Sequence, residues 1–575
     1  VISNGTAVLG LGDIGAEASK PVMEGKGLLF KIFADINVFD IEINEKDPDK
    51  FIEIVKGISP TFGGINLEDI KAPEAFYIEQ RLKEELNIPL MHDDQHGTAI
   101  ISAAALINAL ELADKKIDEV KMVVNGAGAA AIACTKLYIA LGLKKENVLM
   151  CDSKGVINHK RENLTPEKLD FIAQTDISTL EQALEGADVF VGLSKGDVMT
   201  AKMLSSMAEN PVVFALANPT PEIDYNLAIA TRPDVIMATG RSDFPNQVNN
   251  VLGFPYIFRG ALDVQATGIN EEMKLAAVKA IAELAKEPVP EMVKLAYNVK
   301  NIGFGREYFI PKPFDNRLLT KVSIAVAKAA MESGISRKPI ADFEEYENQL
   351  LDRMGRDEKL IRMMQNRARS NPKRVTLGNA EEYNVLKAAQ ILYEEGIAHP
   401  ILLGEKKFIK EQMEKFGIHL DVPIVDPMDD DQDENRKKYR ETLWRLRNRK
   451  GVNEYIAKRL VRQRDYFGPL MLQHGDTDAL IVGYSKNYRT VLRPVLEIIE
   501  KAKGVDKIAS MMMILSDKKP YFFADTSIHV NPTPEEMANI AKMAEFAIKS
   551  FAIQPRIAML SYENFSANSE TSKKV

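Results

Sequence analysis

Two acidic doublets and one lysine carry the first chemical signal in this 575-residue chain. Glu68-Asp69 closes the run Gly63-Gly64-Ile65-Asn66-Leu67, and Asp93-Asp94 closes Ile88-Pro89-Leu90-Met91-His92. Each doublet follows a strand-like run, at the edge where α/β enzymes collect their ligands. Neighbouring residues in a regular strand point to opposite faces, so both members of a doublet serve one site only if the strand has already turned. Three or four carboxylate oxygens without a thiolate suit Mg2+ or Mn2+ rather than zinc. His92 and His96 flank the second doublet and read as surface or helix-capping residues. Lys26, in Pro21-Val22-Met23-Glu24-Gly25-Lys26, is one lysine among many. Beside a carboxylate and a metal, and partly desolvated, such a lysine acts as a general base near neutral pH.

Two glycine patterns bear on nucleotide binding. The first is Gly10, Gly12 and Gly15, after Ala7-Val8; the second is Gly126, Gly128 and Ala131, after Val123-Val124. In such a fingerprint the first glycine makes the tight turn and the second admits the pyrophosphate to the backbone. The helix N-terminus then offers free N–H groups and a positive dipole end. The helix after Gly15 is expected to break soon, at Pro21, Gly25 and Gly27. After Gly128 a helical run continues without a breaker to Leu141, and a second strand, Val148–Cys151, delivers Asp152, 26 residues after Gly126. That is strand, turn, helix, strand and ribose acid, so Gly126, Ala127 and Gly128 mark the dinucleotide pocket. The Gly10 and Gly12 loop is expected to line the same cleft. Asp152 suits the 2′-hydroxyl of NAD and repels a 2′-phosphate, whereas Ser153 and Lys154 offer that phosphate a donor and a positive charge. These signals conflict, with a lean to NADP.

Elements that would hold these residues follow from the wider pattern. Short apolar or β-branched runs alternate with helical segments, which points to an α/β fold with parallel sheets. Strand-like runs lie at Phe33–Ile43, Gly64–Leu67 and Ile88–Met91, and a βαβ rhythm runs from Lys121 to about Ile257. Segments 271–287 and 318–333 read as amphipathic helices. A break at Gly334–Ile340 precedes a second α/β unit with strand-like runs Arg374–Leu377, Pro400–Leu403, Ala479–Val482 and Arg556–Leu560. The acidic Asp426–Glu434 and basic Arg436–Lys450 read as a loop and solvated helix faces.

Composition excludes several classes. With 74 basic and 82 acidic residues the net charge is −8, which argues against nucleic-acid or anionic-membrane binding. Two cysteines, Cys134 and Cys151, cannot build a disulfide framework, so a reducing, cytoplasmic setting is expected. The most apolar stretch, Ala99–Ala113, is broken by Asn108 and Glu111 and falls short of the ~18–20 residues of a membrane span. The start at Val1 and the end at Thr571–Val575 read as those of a fragment of a longer protein.

Gly10-Leu11-Gly12-Asp13-Ile14-Gly15, Pro21 to Lys26, Asn66 to Asp69, His92 to Thr98, Gly126 to Ala131 and Asn246 to Asn250 stand in the order and spacing of malic enzymes, which residues 1–340 resemble. Asn371–Gly404, Gly475–Gly483, Ala524–Asn531 and Pro555–Ser561 resemble a phosphate acetyltransferase domain, as in the bacterial hybrid malic enzymes. The resemblance implies a substrate and metal domain over 1–96, a Rossmann-like NAD(P)-binding domain over 97–340 and a phosphate acetyltransferase-like α/β domain over 345–575. It implies oxidative decarboxylation of malate, with Glu68, Asp69 and Asp94 as ligands of Mg2+ or Mn2+ and Lys26, tuned by Asp93, as the base. Asn218 matches a family position that contacts substrate or nicotinamide, and Asn250 does likewise. Acetyl-CoA is implied as an allosteric effector bound by the last domain, and a homo-oligomer as the assembly. The family's tyrosine acid, in a Tyr-Ser/Thr-Pro-Gly segment, has its expected place upstream of Val1. Gly378-Asn379-Ala380 stands where phosphate acetyltransferases have Pro-Glu-Gly, so transferase catalysis is not expected of 345–575.

Overall fold

The short apolar runs of the first 354 residues become two parallel sheets, in which helices cover strands too short to be stable alone. A computed structural model of the chain describes residues 1–560 apart from 9, 298–301, 354, 355, 504, 517 and 518. It divides into two units, Val1–Met354 and Gly355–Val575. The first sheet joins β1 (Ile2–Ser3), β2 (Ile41–Glu42), β3 (Ile65–Leu67) and β4 (Leu90–His92) in the order β2-β1-β3-β4, every pair parallel. Phe51, Ile52, Val55, Ile65, Leu67, Ile78 and Leu82 form the core beneath it. Asn66 lies opposite Met91 and Leu67 opposite His92, so the residues that follow, Glu68 and Asp93, leave the sheet side by side.

Two expectations fail here. The run Phe33–Ile43 contributes only Ile41–Glu42 to a strand, because Phe33 and Ala34 still belong to the helix Gly15–Ala34. That helix passes through Pro21, Gly25 and Gly27 instead of breaking at them. A proline inside a helix costs about 3 kcal/mol. The carbonyl it leaves unpaired belongs to the exposed Glu17, where water can replace the lost donor. Against that cost stands the burial of Met23, Phe30 and Ala34, with Phe30 packed edge-on to Phe254 at 4.6 Å and Phe258 at 5.5 Å. Local breaker signals lose to tertiary packing.

The second sheet joins β5 (Met122–Asn125), β6 (Val148–Asp152), β7 (Gly155–Val156), β8 (Val189–Gly192), β9 (Val212–Ala215) and β10 (Ile236–Thr239) in the order β10-β9-β8-β5-β6-β7. All its pairs are parallel except β6 with β7. The chain runs outward from β5 to β6 and then returns to β8 on the other side, which places the topological switch point between the ends of β5 and β8. The helix Asp93–Leu112 is buried on every side from Ala99 to Leu106, the pattern of a core helix. Its Asn108 donates to the carbonyls of Ala282 at 2.8 Å and Phe309 at 2.9 Å, which accounts for an amide in that core. Segments 271–287 and 318–333 become the helices Glu271–Lys286 and Arg317–Glu332. Among the described residues no helix is long and apolar enough to cross a membrane.

The second unit holds a four-stranded parallel sheet of β11 (Lys373–Gly378), β12 (Ala398–Leu403), β13 (Ile424–Val425) and β14 (Ala479–Ile481) in the order β13-β12-β11-β14. An antiparallel hairpin, β15 (Met511–Ser516) with β16 (Lys519–Ala524), follows; periodicity had not marked it. The expected strand Arg556–Leu560 does not form. The basic stretch Arg436–Lys450 runs through the helix Asp433–Arg447 into the 3-10 turn Asn448–Lys450 and is not purely solvated: Arg436 is buried and donates to the Pro427 carbonyl at 2.8 Å. Ser561 and Thr571–Val575 lie outside the described residues.

Candidate active site

The register of β3 with β4 sets the centre of the site. Asp69 takes a left-handed backbone, φ 53°, which turns the chain immediately after Glu68. Asp93 and Asp94 begin a helix whose first turn favours carboxylates. Both doublets have therefore left the strand pleat, as joint service of one site requires. Glu68, Asp69 and Asp94 each bring an oxygen within 4.8 Å of the others, and the Asp69 N–H donates to Asp94 Oδ2 at 2.8 Å.

Lys26 reaches this cluster from the helix Gly15–Ala34 with its side chain only 11% exposed, unlike a surface lysine. Its ammonium donates to Glu68 Oε1 at 3.0 Å and to Asp93 Oδ2, and lies 3.9 Å from the Phe254 ring centroid. Asp93 is fully buried, and its other oxygen, Oδ1, has no partner. A Cβ at Gly97 would sit 2.1 Å from that oxygen, so only glycine leaves space for the carboxylate one helical turn on. Asn250 donates to Asp93 Oδ2 at 3.1 Å and accepts from Thr98 Oγ1 at 3.1 Å, so it joins the same cluster.

Charge decides how this centre behaves. Burial pushes the Glu68 carboxyl up to about 8, with Asp94 and Asp93 adding to the rise against the pull of Lys26. Burial likewise raises Asp94 to about 7, with Asp69 and Asp93 adding to it. For Lys26 burial works toward the neutral amine, but Asp93 and Glu68 outweigh it and hold the ammonium above its ordinary value. Asp94 keeps 38% of its side chain exposed, so crowding with its neighbours matters there beside burial, and a second cation would let such carboxylates ionise more readily. The oxygen-only donor set fits Mg2+ or Mn2+. His92 and His96 are not surface residues: His92 holds the N-cap position of the helix Asp93–Leu112 without a side-chain capping bond and is fully buried, and His96 bonds Glu79 at 3.0 Å through Nε2. Burial pushes the His92 imidazole down to about 4.

The second half of the site lies at the switch point. Gly126 has φ 133°, and a Cβ there would meet the Leu193 carbonyl oxygen at 2.5 Å, so the turn requires glycine. Gly128 caps the helix Ala129–Ala140 without a side-chain hydrogen bond, and nothing stands within 4 Å of where its Cβ would be. Open N–H groups above an uncrowded glycine are what a pyrophosphate needs, so these residues fit a dinucleotide. Ala127 lies between the two glycines. Gly10 and Gly12, at φ 75° and 76°, belong to a tight turn in which the Gly12 N–H donates to the Val8 carbonyl at 2.7 Å; they lie outside the second sheet. Asn218, after β9, is exposed and packs beside Gly240.

Asp152, at the end of β6, has its carboxylate occupied. Arg161 grips it with two bonds of 3.0 and 2.9 Å, Lys168 adds one of 3.1 Å, and the Lys154 N–H donates at 2.9 Å. Burial opposes ionisation there, but Arg161, the Lys154 N–H and Lys168 together bring the carboxyl down to about 2. Ser153 and Lys154 are exposed beside it. Spacing alone missed Arg161 and Lys168, because the intervening loop brings them back to the strand end. The basic run His159-Lys160-Arg161 was the available signal. Glu222 was also missed: it is buried and accepts from the Ser194 N–H at 3.2 Å and the Ala217 N–H at 3.0 Å, tying the loops after β8 and β9.

Residues 1–83 match the malic enzyme N-terminal domain family, 95–303 the malic enzyme NAD-binding domain and 359–575 the phosphate acetyl/butaryl transferase family. The NADP-dependent malic enzyme of Salmonella typhimurium is 49% identical over 580 residues, covering 100% of this chain and 76% of that protein. The NAD-dependent malic enzyme of Rhizobium meliloti is 46% identical over 583 residues, covering 100% and 75%. The crystal structure of malic enzyme from Pyrococcus horikoshii aligns with a TM-score of 0.57 at 40% identity, over 64% of this chain and 83% of that one.

The raised carboxyls of Glu68 and Asp94 carry protons below about pH 8 and 7 that a cation must displace. Mn2+ affinity is therefore expected to rise by roughly two orders of magnitude from pH 6 to pH 8, with proton release on binding. Titration calorimetry in two buffers of different ionisation enthalpy measures both; a flat profile without proton release refutes the assignment.

Proposed function

We propose, from the premise that the chain belongs to the malic enzyme family, that it catalyses metal-dependent oxidative decarboxylation of (S)-malate to pyruvate and CO2 with reduction of NADP. The single observation that carries this reading is the meeting of Lys26 with Glu68, Asp69, Asp93 and Asp94 at adjacent strand ends in one unit with a dinucleotide fold. Glu68, Asp69 and Asp94 would hold the divalent cation, whose contribution when bound is Lewis-acid polarisation of the C2 oxygen and of the electrons left when CO2 departs. Lys26 takes the proton of the C2 hydroxyl as hydride passes from C2 to the nicotinamide. To accept it, the lysine must first be neutral. Glu68 stops holding it charged once that carboxylate serves as a ligand, and Asp93 remains as the hydrogen-bonded partner that takes the proton onward. Asn250 fixes Asp93 and faces the substrate, and Asn218 contacts the nicotinamide end. Loss of CO2 then breaks the C3–C4 bond and leaves the enolate of pyruvate, which is protonated at C3.

For the nucleotide, Gly126, Ala127 and Gly128 take the pyrophosphate, with the Gly10 and Gly12 loop on the cleft wall. NADP is favoured because Asp152 is already neutralised by Arg161 and Lys168, which leaves net positive charge for the 2′-phosphate with Ser153 and Lys154 alongside. The division into 1–96, 97–340 and 345–575 is retained, with the last part binding acetyl-CoA as an effector and helping assemble a homo-oligomer in the cytoplasm. The match of residues 359–575 to the transferase family supports that role. It also supports a second reading, acetyl transfer between CoA and phosphate, which predicts acetyl phosphate formation independent of Lys26.

Lys26→Ala is expected to lower malate-dependent NADPH formation by roughly 10²–10⁴-fold, the usual contribution of a general base; near-normal turnover refutes the assignment. Arg161→Ala is expected to raise the KM for NADP by about 10–100-fold, since Asp152 then loses the bidentate partner that neutralises it and repels the 2′-phosphate, while the KM for NAD stays the same or falls. Equal losses with both nucleotides would refute the 2′-phosphate role. Saturating acetyl-CoA is expected to change malate turnover or oligomer size without being consumed. Turnover assays, light scattering and quantification of acetyl-CoA read this; no change in either property removes the effector role.

A further inference from the structure

His92 ends β4, one residue before the helix that carries Asp93 and Asp94, and its side chain is completely buried. Its backbone N–H donates to Glu79 Oε1 at 3.0 Å, and Glu79 is itself held by Lys83 at 2.8 Å and His96 at 3.0 Å, so the peptide cannot move freely. The imidazole is different. Neither ring nitrogen completes a hydrogen bond of full geometry, although both are shut off from water; the Ile70 carbonyl makes only a loose hydrogen-bonding contact with the ring. Nδ1 lies 3.7 Å from Asp94 Oδ2, the oxygen that already accepts the Asp69 N–H. That gap exceeds hydrogen-bond reach by about half an ångström, which a small rotation of the Asp94 carboxylate closes.

A polar ring sealed in the interior without a partner is rare and costly unless another state of the protein supplies the partner. Among the ionised oxygens described around the ring, Asp94 Oδ2 faces Nδ1, and the Asp94 side chain is 38% exposed, so packing does not lock it. We infer that His92 is a positioning residue for the metal centre, its Nδ1–H donating to Asp94 Oδ2 so that the carboxylate is aimed at the cation. The inference rests on the reading of Glu68, Asp69 and Asp94 as ligands. Loss of such an outer donor costs about 10–100-fold in metal affinity. A spacer role for the ring would show no dependence on where the replacement carries its N–H.

The test is Mn2+ binding by the full chain without malate or nucleotide, read from the electron paramagnetic resonance signal of free Mn2+ at fixed pH. His92→Asn places an amide N–H near the Nδ1 position, and His92→Gln places one near Nε2. Expected are affinity within about 3-fold of the parent for Asn, and about 10–100-fold weaker binding for Gln and for His92→Leu. Thermal melts of the metal-free proteins show whether each variant is folded; should the Leu variant not fold, the Asn and Gln pair decides. Equal affinities for Asn and Gln, or undiminished affinity for Leu, overturn the inference. Asp94→Asn separates it from the reading beneath: if the parent protein does not take up Mn2+, or the Asp94 variant binds as the parent does, the metal site itself is wrong.

Discussion

The ion cluster of Lys26 with Glu68 and Asp93 is the constraint around which the first unit is arranged. A buried ammonium left alone by removal of a partner costs several kcal/mol, and so does a buried carboxylate. Each of these charges is tolerable only because the others are within contact distance. That requires the helix Gly15–Ala34 to run unbroken past the ends of β3 and β4, whatever its glycines and proline prefer. It requires Gly97 to leave space, Asn250 to brace Asp93 and Phe254 to lie against the ammonium. A long core helix, an aromatic cluster and a parallel register thus serve one electrostatic arrangement.

The cluster is also unbalanced. Lys26 supplies one positive charge against Glu68, Asp69, Asp93 and Asp94. Burial, then the neighbouring carboxylates, raises Glu68 and Asp94, while Asp93 and Glu68 hold the Lys26 ammonium above its ordinary value. A divalent cation resolves both halves of this tension at once, since it lets the carboxylates ionise and weakens their hold on the lysine.

The nucleotide edge follows the opposite rule, where one acid is saturated with cations. Asp152 at the end of β6 reads on its own as a ribose acid that rejects a 2′-phosphate. Arg161 and Lys168 turn the same position into one with spare positive charge. The conflict between Asp152 and Lys154 in the sequence was real, and a loop that folds back over the strand end adds two cations to one side of it.

Much of this was readable in residue order. The α/β class, the Gly126 turn and its helix, and the two acidic doublets are local patterns, and local patterns survive in one dimension because strand period, turn chemistry and helix initiation act over a few residues. So does the family resemblance, which residues 1–83, 95–303 and 359–575 bear out. Other features needed three dimensions. Pro21 fails to break its helix because Phe30 packs on Phe254 and Phe258, residues more than 220 positions away. Phe33–Ile43 yields only two strand residues because the helix extends through Ala34, and Glu79 comes back to accept from the His92 N–H and to bond the partly covered His96 ring. Chemical identity was set by the order of residues along the chain; which charges meet, how dry they are and which of them are satisfied was decided by packing, since burial and pairing are sums over neighbours that sequence distance does not measure.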